Sequence, residues 1–144
     1  MHTSKRLVLA AAAAVVLSAC GMMPGSSTVR LGGNLSGSQE VPSVSTGGNG
    51  TVEATYDKDT RKLSYTVTYS GLSGPATMGH FHGPAAPGQN AGVVVPFANA
   101  ASPIRGEATL TEAQAADLLA GRWYANIHTG AHPGGEIRAQ VTTR

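Results

Sequence analysis

Only one cysteine, Cys20, occurs in the 144 residues, so no disulfide forms within the chain. Beyond that position no thiolate is on hand for a metal or for nucleophilic attack. Charge is scarce as well, at 12% of residues, and aromatic side chains make up only 5%. The ten Lys and Arg residues include Lys5 and Arg6; without those two, eight basic residues balance eight acidic ones, which excludes a basic phosphate-binding surface. No glycine-rich loop sits between a strand signal and a helix signal, and no Gly-x-Ser-x-Gly elbow appears. Any metal chemistry therefore rests on His, Met, carboxylate or backbone oxygen.

Long hydrophobic runs are also missing. The longest, Leu7 to Leu17, falls short of the ~20 apolar residues that a spanning helix needs. It follows Lys5 and Arg6 and precedes Leu17-Ser18-Ala19-Cys20, the layout of an export signal that ends in a sequence resembling a bacterial lipobox. That resemblance implies a lipoprotein signal peptide over residues 1–19, cleavage before Cys20 and lipidation of the Cys20 sulfur, with several acyl chains as the membrane anchor. Gly21 stands where an Asp would direct retention in an inner membrane, so the expected address is the bacterial cell envelope, at the outer membrane, facing the periplasm or the cell surface. Residues 20–28, with Pro24 and Gly25 among small polar residues, form the expected lipidated tether.

What remains, residues 29–142, is glycine-rich and built of short alternating runs, the pattern of an all-β antiparallel sandwich. The clearest run is Leu63, Tyr65, Val67 and Tyr69 with Ser64, Thr66 and Thr68 between them, a strand with one buried face. Asp57-Lys58-Asp59-Thr60 reads as the hairpin turn joining it to a strand at 50–56. Further strands are predicted at 29–35, 77–82, 92–97, 104–110, 123–128 and 136–142. One short helix is expected over 111–120. There Thr111 and Gln114 have capping-box spacing, Leu110 and Ala115 occupy the staple positions, and Gly121 follows the last turn.

Four of the five histidines, His80, His82, His128 and His132, fall in or beside two glycine-rich segments. On a strand, residues two apart share a face about 7 Å from each other, so His80 and His82 point one way and Phe81 points into the core. In Asn126-Ile127-His128-Thr129 the same alternation puts Ile127 with the core and His128 on the other face. Imidazole nitrogen suits zinc or copper, and these three histidines are the expected metal ligands. His132 is a candidate fourth ligand or a guard at the opening, and Met78, two residues before His80, offers a thioether that would favour Cu(I). The competing reading is a strand with two solvated polar positions and glycines that serve only tight turns.

Gln39-Glu40-Val41-Pro42, Gly79-His80-Phe81-His82-Gly83-Pro84, Tyr124-Ala125-Asn126-Ile127-His128-Thr129 and Pro133-Gly134-Gly135-Glu136-Ile137-Arg138-Ala139-Gln140, in that order, resemble the CHRD domain, which takes its name from chordin and is also found in bacterial exported proteins. The resemblance implies a Greek-key β-sandwich outside the cytoplasm and no fixed biochemical activity. Glu40 and Glu136 lie in these motifs as candidate groups to bond backbone or orient an imidazole. Arg138 is a candidate salt-bridge or backbone-capping donor, or alternatively a guide for an anion. A second, partial resemblance is to the copper half of copper-zinc superoxide dismutase, through the order of His80, His82 and His128; the zinc half has no counterpart, since residues 83–92 contain neither His nor Asp.

Three functions remain open at this point. The chain is an envelope lipoprotein that buffers or transfers copper, or a redox enzyme of superoxide dismutase type, or a non-catalytic structural or interaction module whose histidines form a hydrogen-bonded patch. No residue is assigned a catalytic role, no nucleic acid is expected as partner, and the expected contacts are the membrane through Cys20 and a copper ion.

Overall fold

A computed structural model describes residues 25–144. The expected leader and Cys20 lie outside the described residues. Eight strands form: β1 (Thr28–Ser36), β2 (Asn49–Asp57), β3 (Lys62–Ser70), β4 (Ala76–His82), β5 (Val93–Pro96), β6 (Ile104–Thr109), β7 (Trp123–Thr129) and β8 (Ile137–Thr143), with one helix, α1 (Glu112–Leu119), before β7. The predicted elements are all present, most of them displaced by a residue or two at their ends.

All pairings are antiparallel, in the order β5-β4-β7-β8-β1-β2-β3-β6, and the sheet curls until it is nearly closed. Its two halves, β1-β2-β3-β6 and β5-β4-β7-β8, are the two layers of the expected sandwich, continuous through the β1–β8 pair. After the β4–β5 hairpin the chain crosses back to lay β6 beside β3, the Greek-key return. At the β1–β8 seam the backbones nearly touch: a Cβ on Gly33 would run into the carbonyl of Gln140, so only glycine permits that approach.

Period-two alternation places the core. Val52, Leu63, Val67, Phe81, Ile104, Trp123, Ile127 and Ile137 are fully buried between the layers, and Phe81 meets Tyr65 edge to face with centroids 5.0 Å apart. A fully buried aliphatic or aromatic side chain contributes about 1.5–3 kcal/mol relative to exposure, so this cluster supplies the main driving force for the fold. Local signals set its limits. The Asp57 side chain accepts hydrogen bonds from the backbone N–H groups of Asp59 (2.8 Å) and Thr60 (3.2 Å) in the β2–β3 turn. Thr111 and Gln114 form the reciprocal capping box, Gly121 takes a φ of 73° after the helix, and Ala115 and Leu118 pack α1 onto the core.

Candidate metal centre

Strands β4 and β7 are hydrogen-bonded neighbours, in a register that sets Met78 opposite His128, His80 opposite Asn126, and His82 opposite Tyr124. Facing residues in such a pair share a face, so these six side chains lie on the outer surface of the sheet while Gly79, Phe81, Ala125 and Ile127 turn inward. The strand phase inferred for both histidine segments is the one observed. Unlike an ordinary outer face, this one is covered: every residue of β7 is buried. The cover comes from segments 37–44, 83–92 and 130–135, whose backbone or side chains bond to the groups beneath.

Two of the imidazoles are fixed by that cover. His82 Nδ1 lies 2.9 Å from the carbonyl of Ala91, and His128 Nδ1 lies 2.8 Å from the carbonyl of Pro133. A carbonyl only accepts, so each Nδ1 carries a proton, and in its neutral form each ring presents its Nε2 lone pair on the inner side. His80 Nδ1 sits 3.2 Å from His128 Nε2, and one nitrogen from each of the three rings falls within 4.8 Å of the others. Tetrahedral bonds of about 2.0–2.1 Å require ligand atoms about 3.4 Å apart, so small rotations of the rings would close the group on an ion. Burial, and then the charges of the neighbouring histidines, hold His80 below the usual imidazole range; burial does the same for His82, although the oxygens of Ala91 and Asn126 favour its protonated form. Neutral rings with free lone pairs are the form a metal needs. The three histidines can hold a metal ion.

Around this group lies a buried polar layer. Asn126, 2% exposed, directs Oδ1 to His82 Nε2 (2.9 Å) and His128 Nε2 (3.0 Å). The Tyr124 ring stacks on His82 with centroids 4.7 Å apart and planes 4° from parallel, and the Arg138 guanidinium lies 3.4 Å from the centre of that same ring as a cation–π contact. Arg138 also donates to Asn90 Oδ1 (2.9 Å) and to the carbonyl of Gln89, holding segment 83–92 in place. Of its expected roles, that of backbone-capping donor is the one observed; buried to 1% exposure, it is not placed to guide an anion.

The two carboxylates behave oppositely. Glu136 accepts from Thr46 Oγ1 (2.6 Å), Ser73 N (2.8 Å), Ser73 Oγ (2.6 Å) and Thr129 Oγ1 (2.7 Å). Burial pushes its pKa up, but those hydrogen bonds outweigh burial and hold it at about 2. It bonds backbone and hydroxyls and orients no imidazole. Glu40 is buried beside Asn126, and its Oε1 has no hydrogen-bond partner among the described residues. Burial drives its pKa up to about 7, with the Arg138 charge and the Asn126 amide offsetting part of the rise. Gly135, at φ 123°, gives that carboxylate room, because a Cβ there would collide with Glu40 Oε1.

His132 stands outside the three-nitrogen group; its backbone, half-covered, closes the turn with Thr129 through bonds of 3.1 and 3.3 Å. Met78 shares the face of His80 and is 48% exposed. Asn126 and Tyr124 were not singled out by the sequence as site residues. The available signal was spacing, since both lie an even number of residues from His128 and so on its face.

The CHRD domain family model matches residues 31–141, a span that runs from β1 into β8 and includes all three histidines. No curated protein matches the chain, and no solved structure does; the likeness to the copper half of superoxide dismutase therefore rests on the histidine order alone.

Proposed function

Because the chain belongs to the CHRD domain family, whose fold carries no single activity with it, we propose a function from its site: a copper-binding module of the bacterial envelope, buffering the ion or passing it on. The observation that carries this reading is the convergence of His80, His82 and His128, with Nδ1 of two rings already committed to carbonyls and nitrogen lone pairs left to face one another. Imidazole donors suit copper, and the His80 ring, only partly covered, leaves a side by which an ion enters and leaves. Met78, across from His128, would add a thioether for the reduced ion on that open side, and His132 would stand near the same opening.

The membrane address belongs to the same proposal. Cys20 is its lipid attachment point, the tether places the domain at the outer membrane, and no helix among the described residues is long and apolar enough to cross a membrane. Cys20→Ser should release the domain from membrane fractions or leave unprocessed precursor; unchanged fractionation would remove the anchor from the proposal.

A second reading, a non-catalytic interaction module, is favoured by one observation: each of the three imidazoles already has a polar partner without an ion. Metal analysis of protein purified from the envelope without a metal-binding tag separates the two. Copper near one per chain, with nitrogen hyperfine structure from bound imidazoles in the paramagnetic resonance spectrum and loss of binding in His80→Ala and His128→Ala, supports the copper site. Equal binding and an unchanged spectrum in both variants would leave a hydrogen-bonded patch. Reaction of the copper form with superoxide then tests for the enzymatic reading.

A further inference from the structure

We propose that the amide oxygen of Asn126 is a fourth metal ligand, so that the centre is three nitrogens and one oxygen; this rests on the metal reading of the histidines. Asn126 Oδ1 is 2.9 Å from His82 Nε2 and 3.0 Å from His128 Nε2. At such distances one partner of each pair normally supplies a proton. Here neither does in the neutral state, because the single proton of each ring is spent at Nδ1, on Ala91 O and on Pro133 O, and an amide oxygen has none to give.

The other end of the amide orients it. Its nitrogen donates to the carbonyl of Gly134, at 3.5 Å. Exchanging O for N would set Oδ1 against the Gly134 carbonyl, acceptor against acceptor. Gly134 therefore favours the orientation in which the oxygen faces the imidazoles. His80 Nδ1, 3.2 Å from His128 Nε2, is the fourth atom around this small space, and once its proton moves to the far nitrogen of its ring, a cation would satisfy all four lone pairs together. Asn126 is 2% exposed and sits on β7 between two paired strands, so its oxygen is held in place before an ion arrives. An amide oxygen is harder than imidazole or thioether, and a donor set of this kind favours a divalent ion over Cu(I).

Co(II) titration of the full chain, read by visible ligand-field bands and by competition for affinity, tests this. The wild type should give the intense bands of a four-coordinate centre. Asn126→Ala should weaken Co(II) binding about tenfold or more, the scale on which removing a group bound at a metal site acts, and shift the bands. Asn126→Asp keeps an oxygen at the same position and adds a negative charge, so it should bind more tightly than wild type, with bands shifted again; this variant keeps the test intact should the alanine variant fail to fold. Unchanged affinity and unchanged bands in Asn126→Asp, or in a folded Asn126→Ala, would overturn the assignment while leaving the three-histidine site standing. Failure of the wild type to bind Co(II), Zn(II) or Cu(II) at all would instead end the metal reading, and the fourth ligand with it.

Discussion

Along β3 the outward side chains Ser64, Thr66 and Thr68 are half-buried or exposed, whereas along β7 all seven residues are buried. The two halves of the sheet share a core and differ in what lies over their outer faces. In the open half, polar groups meet water, and a pair such as Lys62 and Glu107, 2.8 Å apart, is exposed enough that screening leaves it little energetic weight. In the covered half water is excluded, so every polar atom needs an assigned partner. Glu136 has four donors, and Glu40 Oε1 has none among the described residues. Burial alone does not determine how a carboxylate behaves; the count of donors around it does.

The severest break of the comparison falls in the shared core. Val67→Asp places an unpaired charge where no donor exists and should remove several kcal/mol of stability or prevent folding, while Thr66→Asp, one residue along and facing outward, should stay within about 0.5 kcal/mol. Urea unfolding of the two variants checks the strand phase, and equal losses would contradict it. Next in size, Glu136→Ala strands the hydroxyls of Thr46, Ser73 and Thr129 and the N–H of Ser73. Of these only Thr129 is buried, while Ser73 is exposed, so at about 1–3 kcal/mol for an unsatisfied buried group a loss of about that size is expected in the same assay.

A pH titration of stability sharpens the contrast between the carboxylates. For Glu136, held at about 2 against an ordinary 4.5, the folded state binds its proton less tightly than the unfolded chain. Its contribution is full above about 4.5 and is lost as pH falls through about 2. Glu40, raised to about 7, has the opposite sign: its contribution is full below 4.5 and is lost as pH rises through about 7. In metal-free protein Glu40→Gln should therefore flatten the decline between these values and be relatively more stable than wild type in mild alkali. His80 and His82, depressed by burial, act in the reverse sense near their own range, so the difference between wild type and Glu40→Gln is the quantity to plot. Smallest of all, Lys62→Ala on the open face should change stability by less than about 1 kcal/mol, and less again in high salt.

How much of this was legible in advance follows the same division. Period-two alternation placed Tyr65 and Val67 inward, Phe81 between two outward histidines, and Ile127 against His128, because strand phase is a local property written in adjacent residues. The capping box at Thr111 and Gln114 is equally local. Alternation also put His80, His82 and His128 on outer faces, although their adjacency needed the β4–β7 pairing, which no single segment encodes. The cover over β7 was not legible. Segment 83–92 contains no histidine or acid to announce it, and it acts through the carbonyls of Gln89 and Ala91 and the side chain of Asn90. For that reason Tyr124 and Asn126 passed as ordinary strand residues, and two glutamates of similar motif context gave no sign of differing by about five pH units in behaviour.

The seam between β1 and β8 bears on time as well as shape. Leu31 pairs with Thr143 and Ser36 with Arg138, so the strand pairing that joins the two halves links segments separated by nearly the whole described chain. Non-local β topologies of this kind fold slowly, on about the millisecond-to-second scale. Strand β7 has its second neighbour only once β8 is laid down, and Arg138 on that strand pins the segment that fixes the His82 ring. The contacts that fix the His82 ring are thus complete only once β8 has joined the sheet.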